Sequence, residues 1–222
     1  MKIIAHRGNV SNEVDNRMEG LLQALENPVI DGIELDVHMT KDKKFILSHS
    51  EFLKEKEGLF DHIPSHTLKE LQKKSYSLNG EIFPIITIDT FLKKVKTDKL
   101  IMIECKKDEW DFGKYGKAFL KTIKKYKKLN ITICSFDYSL ATFFKQKNKK
   151  YPVGLLIGYT INVLKEYDTF DYISVHYNSL HEKMKKKPYY IWTVDSLKKL
   201  ESVKYNNNSI GIITNKGNIF HK

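Results

Sequence analysis

The chain has 222 residues, enough to bury one substantial core, and carries a formal charge of +11. No run of about 18 apolar residues occurs, which excludes a membrane-spanning helix. All but two of its 38 basic residues are lysine, in runs such as Lys183-Met184-Lys185-Lys186-Lys187 that read as solvated helix ends and not as a nucleic-acid stripe.

Lys2–Ala5 reads as the first strand and ends at His6-Arg7. It follows Met1 with no apolar leader, which points to an intracellular, cytoplasmic protein. A helix through Leu21, Leu22, Ala24 and Leu25 comes next, with Asn12 or Asn16 as its cap. Ile30–Val37 is the second strand. Side chains alternate along a strand, so Glu34, Asp36 and His38 share one face while Ile33, Leu35 and Val37 share the other. Two carboxylates on an apolar strand are costly to bury unless a cation meets them, and a hard divalent ion is the simplest one. A solvated face of an edge strand is the other reading.

A polar turn at residues 41–44 leads into a short strand, Phe45–Leu47, ending at Ser48-His49. Residues 50–85 break the alternation of strand and helix and hold one helical piece, Thr67–Lys74. A helix over Thr87–Lys96 precedes the strand Leu100–Cys105, in which Met102, Glu104 and Lys106 share a face. Glu104 repeats the pattern of Glu34, with an ordinary lysine ion pair as the alternative. Helices follow at Tyr115–Tyr126, Leu140–Lys147, 161–166, Ser179–Lys186 and Ser196–Lys204. They alternate with strands at Ile131–Phe136, Val153–Ile157, Tyr172–Val175, Tyr189–Val194 and Ile210–Thr214. Cys105 and Cys134 fall in strands and read as core thiols.

Eight strands alternating with helices argue for an α/β protein with a parallel sheet closed into a (β/α)8 TIM barrel. Residues 1–222 then form a single domain, with 50–85 as a small insertion after the second strand. A doubly wound open sheet is the alternative, but no glycine-rich phosphate loop follows the first strand. His6 and His49 both end short apolar runs, where parallel α/β folds gather reactive groups. Histidine exchanges protons near neutral pH, and Arg7 offers a donor fork to a phosphate. Together with the two carboxylates, these residues describe phosphate ester chemistry.

At Ala5-His6-Arg7-Gly8, Gly32-Ile33-Glu34-Leu35-Asp36-Val37, Thr40-Lys41-Asp42 and Leu47-Ser48-His49 the sequence resembles the glycerophosphodiester phosphodiesterase family. Ile103-Glu104-Cys105-Lys106, Trp192-Thr193-Val194 and Gly211-Ile212-Ile213-Thr214 extend the resemblance along the chain. It implies hydrolysis of small-molecule glycerophosphodiesters to glycerol 3-phosphate and an alcohol. It further implies one divalent cation (magnesium, calcium or manganese) on Glu34, Asp36 and Glu104, with His6 and His49 as acid and base. Arg7 and Lys106 would bind the phosphate, and Trp192 would wall the alcohol. The family's Pro-Glu-Asn-Thr is here Val14-Asp15-Asn16-Arg17, and its His-Asp is His49-Ser50. Asp195 stands where the family has Asn, and Asn215 where it has Asp. Two other functions stay open. One is a lysophospholipid or sphingolipid phosphodiesterase, with Phe52, Leu59, Phe60 and Ile63 as an apolar mouth. The other is a non-catalytic phosphate sensor. Head group, metal and oligomeric state are not legible in the sequence.

Overall fold

The computed structural model describes residues 1–9, 15–55, 58–78, 80–159, 167–203 and 205–220. Its frame is a closed ring of eight parallel strands: β1 (Lys2–Ala5), β2 (Gly32–Met39), β3 (Leu100–Lys106), β4 (Ile131–Ser135), β5 (Val153–Ile157), β6 (Tyr172–His176), β7 (Tyr189–Trp192) and β8 (Ser209–Thr214). Each strand pairs with the next, and β8 closes on β1 with Lys2 opposite Gly211 and Ala5 opposite Thr214. This is the (β/α)8 barrel that the alternation of strands and helices predicts.

Alternation along each strand sorts its side chains into two layers. Ile4, Met102, Cys134, Leu156, Tyr172, Tyr190 and Ile213 pack together as one cluster that plugs the ring. Their neighbours in sequence, among them Ile3, Ile101, Ile103 and Ile173, belong to the larger core beneath the helices, as do Ile33 and Leu35 of β2. Both cysteines are free and buried.

The helices are α1 (Met18–Glu26), α2 (Leu68–Leu71), α3 (Ile88–Lys94), α4 (Phe112–Ile123), α5 (Tyr138–Lys147) and α6 (Leu197–Ser202). Helix α4 buries Tyr115, Phe119 and Ile123, one residue per turn on a single face. The Phe45 ring meets Tyr115 and Phe119 edge-on, with centroids 5.1 and 5.2 Å away. Thr87, Asp111, Asp137 and Ser196 each cap a helix by accepting a backbone N–H from its first turn, a contact worth about 1 kcal/mol apiece.

Three local expectations need correction, and two fall outside the described residues, the cap at Asn12 and the helix over 161–166. Asn16 caps nothing: Arg17 holds the N-cap position of α1 without a side-chain bond, and Asn16 turns inward to Asp36. The helix expected over Ser179–Lys186 is replaced by two single 3-10 turns, Tyr177–Ser179 and Met184–Lys186. Its lysines leave too few apolar positions to bury a face, and Pro188 holds Lys187 in an extended conformation. The helical piece at 67–74 is a single turn, α2, closed by a reciprocal Thr67–Glu70 capping box.

Between β2 and α3 the chain first returns along β2 as the antiparallel strand Phe45–Leu47. Two hairpins follow, Phe52–Lys54 with Phe60–His62, and Tyr76–Leu78 with Glu81–Phe83. They share a small core of Ile46, Leu53, Ile63, Leu71 and Tyr76. Ile63 is thus 0% exposed and is no part of an apolar mouth, whereas Phe52, Leu59 and Phe60 are 45%, 64% and 63% exposed.

Candidate active site

The ends of β1, β2 and β3 meet at one mouth of the barrel. After Ala5 the chain makes a 3-10 turn, His6–Gly8, with Arg7 at φ 54 and Gly8 at φ 79. A Cβ on Gly8 would lie 2.8 Å from the Leu21 nitrogen, so only glycine lets the turn close against α1. The turn folds Arg7 back over β2. Its Nε lies 3.2 Å from Asp36 Oδ2, its Nη1 2.6 Å from Asp15 Oδ2, and its backbone N–H donates to Glu34 Oε2 at 3.2 Å.

Glu34 and Asp36 point into the ring from β2, and Glu104 joins them from β3, where it stands opposite Asp36. All three are buried, and one carboxylate oxygen from each lies within 4.8 Å of the others. Lys106 Nζ reaches Glu104 Oε1 at 2.5 Å and Asp36 Oδ1 at 3.0 Å. Asn16 grips Asp36 at two points, donating from Nδ2 to Oδ2 at 2.9 Å and accepting the Asp36 N–H at 3.1 Å.

The charges do not balance. Among the described residues, Glu34, Asp36, Glu104 and Asp15 meet only the cations Arg7 and Lys106, so ionising all four would leave two negative charges over. Burial, and then Asp36 and Glu104, push the Glu34 carboxyl well above its ordinary range. Burial and Asp36 lift Glu104 to about 7. Burial also acts against ionised Asp36, but Lys106 and Arg7 outweigh it and bring Asp36 to about 2. Lys106 is itself raised: burial opposes its charge, and Asp36 and then Glu104 more than offset that. Its closest oxygen belongs to Glu104, but burial and the Asp36 charge outweigh that contact and keep Glu104 raised. Asp36 Oδ1 and Arg7 Nε have ionic neighbours but no hydrogen bond of good geometry. Surplus negative charge, an unbonded carboxylate oxygen and an all-oxygen donor set are what a hard cation requires, so Glu34, Asp36 and Glu104 fit a metal ion.

His6 is neutral by design of its surroundings. Burial, then the Arg7 charge, lower its pKa. Asp195 accepts from the Asn215 backbone N–H at 2.7 Å and from Asn215 Nδ2 at 3.0 Å. A carboxylate only accepts, so the Asn215 amide must turn its oxygen to His6 Nδ1, 2.7 Å away. His6 therefore carries its proton on Nδ1 and presents the Nε2 lone pair to the mouth, 3.9 Å from Glu34 Oε2. The pairing of Asp195 with Asn215 was legible only as two separate departures from the family pattern.

His49 stands exposed on the rim, just past Phe45–Leu47. Desolvation of the ring, with the Arg7 and Lys106 charges, lowers its pKa to about 4, while Asp36 opposes them. A cleft of 510 Å³ opens from His49 beneath the hairpins, walled by Leu47, Leu53, Phe60, Phe83 and Ile86. Trp192, expected to wall the alcohol, ends β7 and is not among the walls of that cleft. Its Nε1 donates to the Ser174 carbonyl at 3.0 Å, and its ring meets Phe136 and His176 edge-on. His176 is buried and accepts the Asn178 N–H, as a structural histidine would.

Carboxylates, cationic side chains and histidines gathered at the C-terminal mouth of a (β/α)8 barrel are the set that the phosphate-ester-cleaving class of barrels would need. Comparison with known proteins narrows this. The chain belongs to the glycerophosphoryl diester phosphodiesterase family, whose model matches residues 6–196. A glycerophosphodiester phosphodiesterase of Caldanaerobacter subterraneus subsp. tengcongensis is 29% identical over 160 residues, 69% of this chain and 65% of that enzyme's length. An uncharacterised protein of Mycoplasma genitalium is 26% identical over 96% of this chain and 95% of its own length. The crystal structure of the glycerophosphodiester phosphodiesterase from Thermotoga maritima superposes with a TM-score of 0.74 at 25% identity, covering 98% of this chain and 96% of that one.

Proposed function

We propose that the protein hydrolyses glycerophosphodiesters to glycerol 3-phosphate and an alcohol, with one divalent cation held by Glu34, Asp36 and Glu104. The charge surplus in the mouth is the observation that carries this reading. When bound, magnesium, calcium or manganese supplies a positive charge to a phosphoryl oxygen. Arg7 and Lys106 bind the phosphate and offset the charge that grows on it in the transition state. His6 takes the proton of the attacking hydroxyl on Nε2, since Nδ1 is committed to Asn215. His49, whose lowered pKa the phosphate's negative charge would raise, gives a proton to the leaving alkoxide, whose alcohol occupies the adjoining cleft. We further infer a cytoplasmic location, in keeping with two free, buried thiols. Among the described residues no helix is long and apolar enough to cross a membrane.

The exposed Phe52, Leu59 and Phe60 beside the cleft favour a second reading, a lipid-derived diester as substrate. Turnover of glycerophosphocholine and of lysophosphatidylcholine, with and without a chelator, tests both. Chelator-sensitive cleavage of the first supports the proposal, and preference for the second supports the lipid reading. Full activity in a thoroughly demetallated sample refutes the cation, and binding without turnover refutes catalysis.

A further inference from the structure

His38 belongs to the same face of β2 as Glu34 and Asp36, yet it touches neither the cluster of charges nor the cleft. It is 2% exposed. Its Nδ1 lies 2.9 and 2.8 Å from the two oxygens of Asp108, and its Nε2 lies 3.2 Å from the backbone carbonyl of His49. The carbonyl can only accept, so Nε2 donates to it. Asp108 follows β3 at φ 51, in the left-handed region that aspartate tolerates better than most residues, and its carboxylate is nearly as buried as the ring it holds.

The loop needs such an anchor. Among the described residues no group hydrogen-bonds the His49 imidazole, and Ser50 spends its hydroxyl on the Phe52 N–H. The remaining ties are backbone or local: the Ser48 N–H donates to the Asp36 carbonyl, and the Ser48 hydroxyl donates to the Ser50 carbonyl. His38 is thus the one barrel side chain, among the described residues, that bonds to His49 itself.

We propose that His38, clamped by Asp108, is a positioning residue that sets where the His49 imidazole stands relative to the leaving oxygen. This rests on the reading of His49 as the acid. A displacement of about 1 Å in a reacting group costs on the order of 10²-fold in rate, so an untethered rim histidine would donate its proton poorly.

Two near-isosteric variants separate positioning from support. Asparagine places its amide near Nδ1, and glutamine places its own near Nε2. His38→Asn keeps the contact with Asp108 and loses the one with His49; His38→Gln does the reverse. Turnover is measured on glycerophosphocholine and on glycerophospho-nitrophenol, whose leaving group departs without a proton. Expected for His38→Asn is a fall on the order of 10- to 10²-fold in kcat for the choline diester, with KM little changed and a far smaller fall for the nitrophenyl diester. His38→Gln should restore most of the lost turnover, and His38→Asn should add less than about twofold to His49→Ala. Parallel losses on both substrates, or equal behaviour of the two variants, overturn the proposal. If His49→Ala itself fails to distinguish the substrates, the acid assignment falls and the proposal falls with it. If His49→Ala distinguishes them and His38→Asn does not, only the positioning role is refuted.

Discussion

Replacing Glu104 with glutamine isolates the charge surplus in the mouth of the barrel. In the ion-free folded protein Glu104 titrates near 7, against an ordinary value of 4.5. Between those pH values the folded state keeps a proton that the unfolded chain has released, so stability falls as pH rises. At about 1.36 kcal/mol per pH unit, the gap from 4.5 to about 7 is worth about 3 kcal/mol. Glutamine carries no such proton, so the variant escapes the loss. His49 acts in the opposite direction, because its folded pKa is lowered and its contribution grows with pH. Wild type and variant share that contribution, and it cancels in their difference. Urea unfolding in chelator, at about pH 5 and about pH 8, should show Glu104→Gln gaining about 3 kcal/mol on the wild type across the interval. In melting temperature this is about 6–12 °C for a chain of this size. Saturating manganese or magnesium should reverse the order, because the wild type binds the ion more tightly. A difference that stays flat with pH in chelator would refute the surplus of buried charge, and the cation argued from it.

Chelation should abolish turnover and a divalent ion restore it, with Glu34→Gln and Asp36→Asn each weakening ion affinity in a titration calorimeter. His6→Ala and His49→Ala should each cost on the order of 10²–10⁴ in kcat, with a bell-shaped pH profile in the wild type; a silent His49→Ala would leave His6 acting without it. Asn215→Leu should free the His6 ring to take the other tautomer and lower kcat by about 10- to 10²-fold, which ¹⁵N spectra of His6 would register as a loss of the Nδ1–H form. Trimming Phe52 and Phe60 to alanine should alter the ranking of leaving alcohols in kcat/KM and leave cleavage of the nitrophenyl diester in place.

The groups on β1, β2 and β3 were readable because a charge on an apolar strand breaks a visible pattern, and period two fixes the face it occupies. The ring of strands was readable for the same reason. Pairing through space was not. His38 showed its face but not its partner, because Asp108 reaches it through a left-handed turn that no local rule requires of an aspartate. Asn16 looked like a helix cap, the commonest role for asparagine before an apolar run, and a buried carboxylate on the neighbouring strand claimed it instead. Asp195 and Asn215 read as two unrelated substitutions, and only the adjacency of the ends of β7 and β8 makes them one hydrogen-bonded unit. The stretch after β6 carried a helical pattern too weak to outlast Pro188.

The bond from Asn215 to His6 joins residues 209 positions apart, and β8 is also the strand that seals the ring against β1. Synthesis runs from the amino end, so the histidine waits for a residue made 209 positions later before its ring is fixed. Until β8 docks, β1 and β7 are bare edges, open to pairing with another chain. Docking of that one strand therefore ends two hazards together, the sticky edges and the unoriented base. A nascent chain stalled before about residue 209 is expected to be both inactive and prone to aggregate.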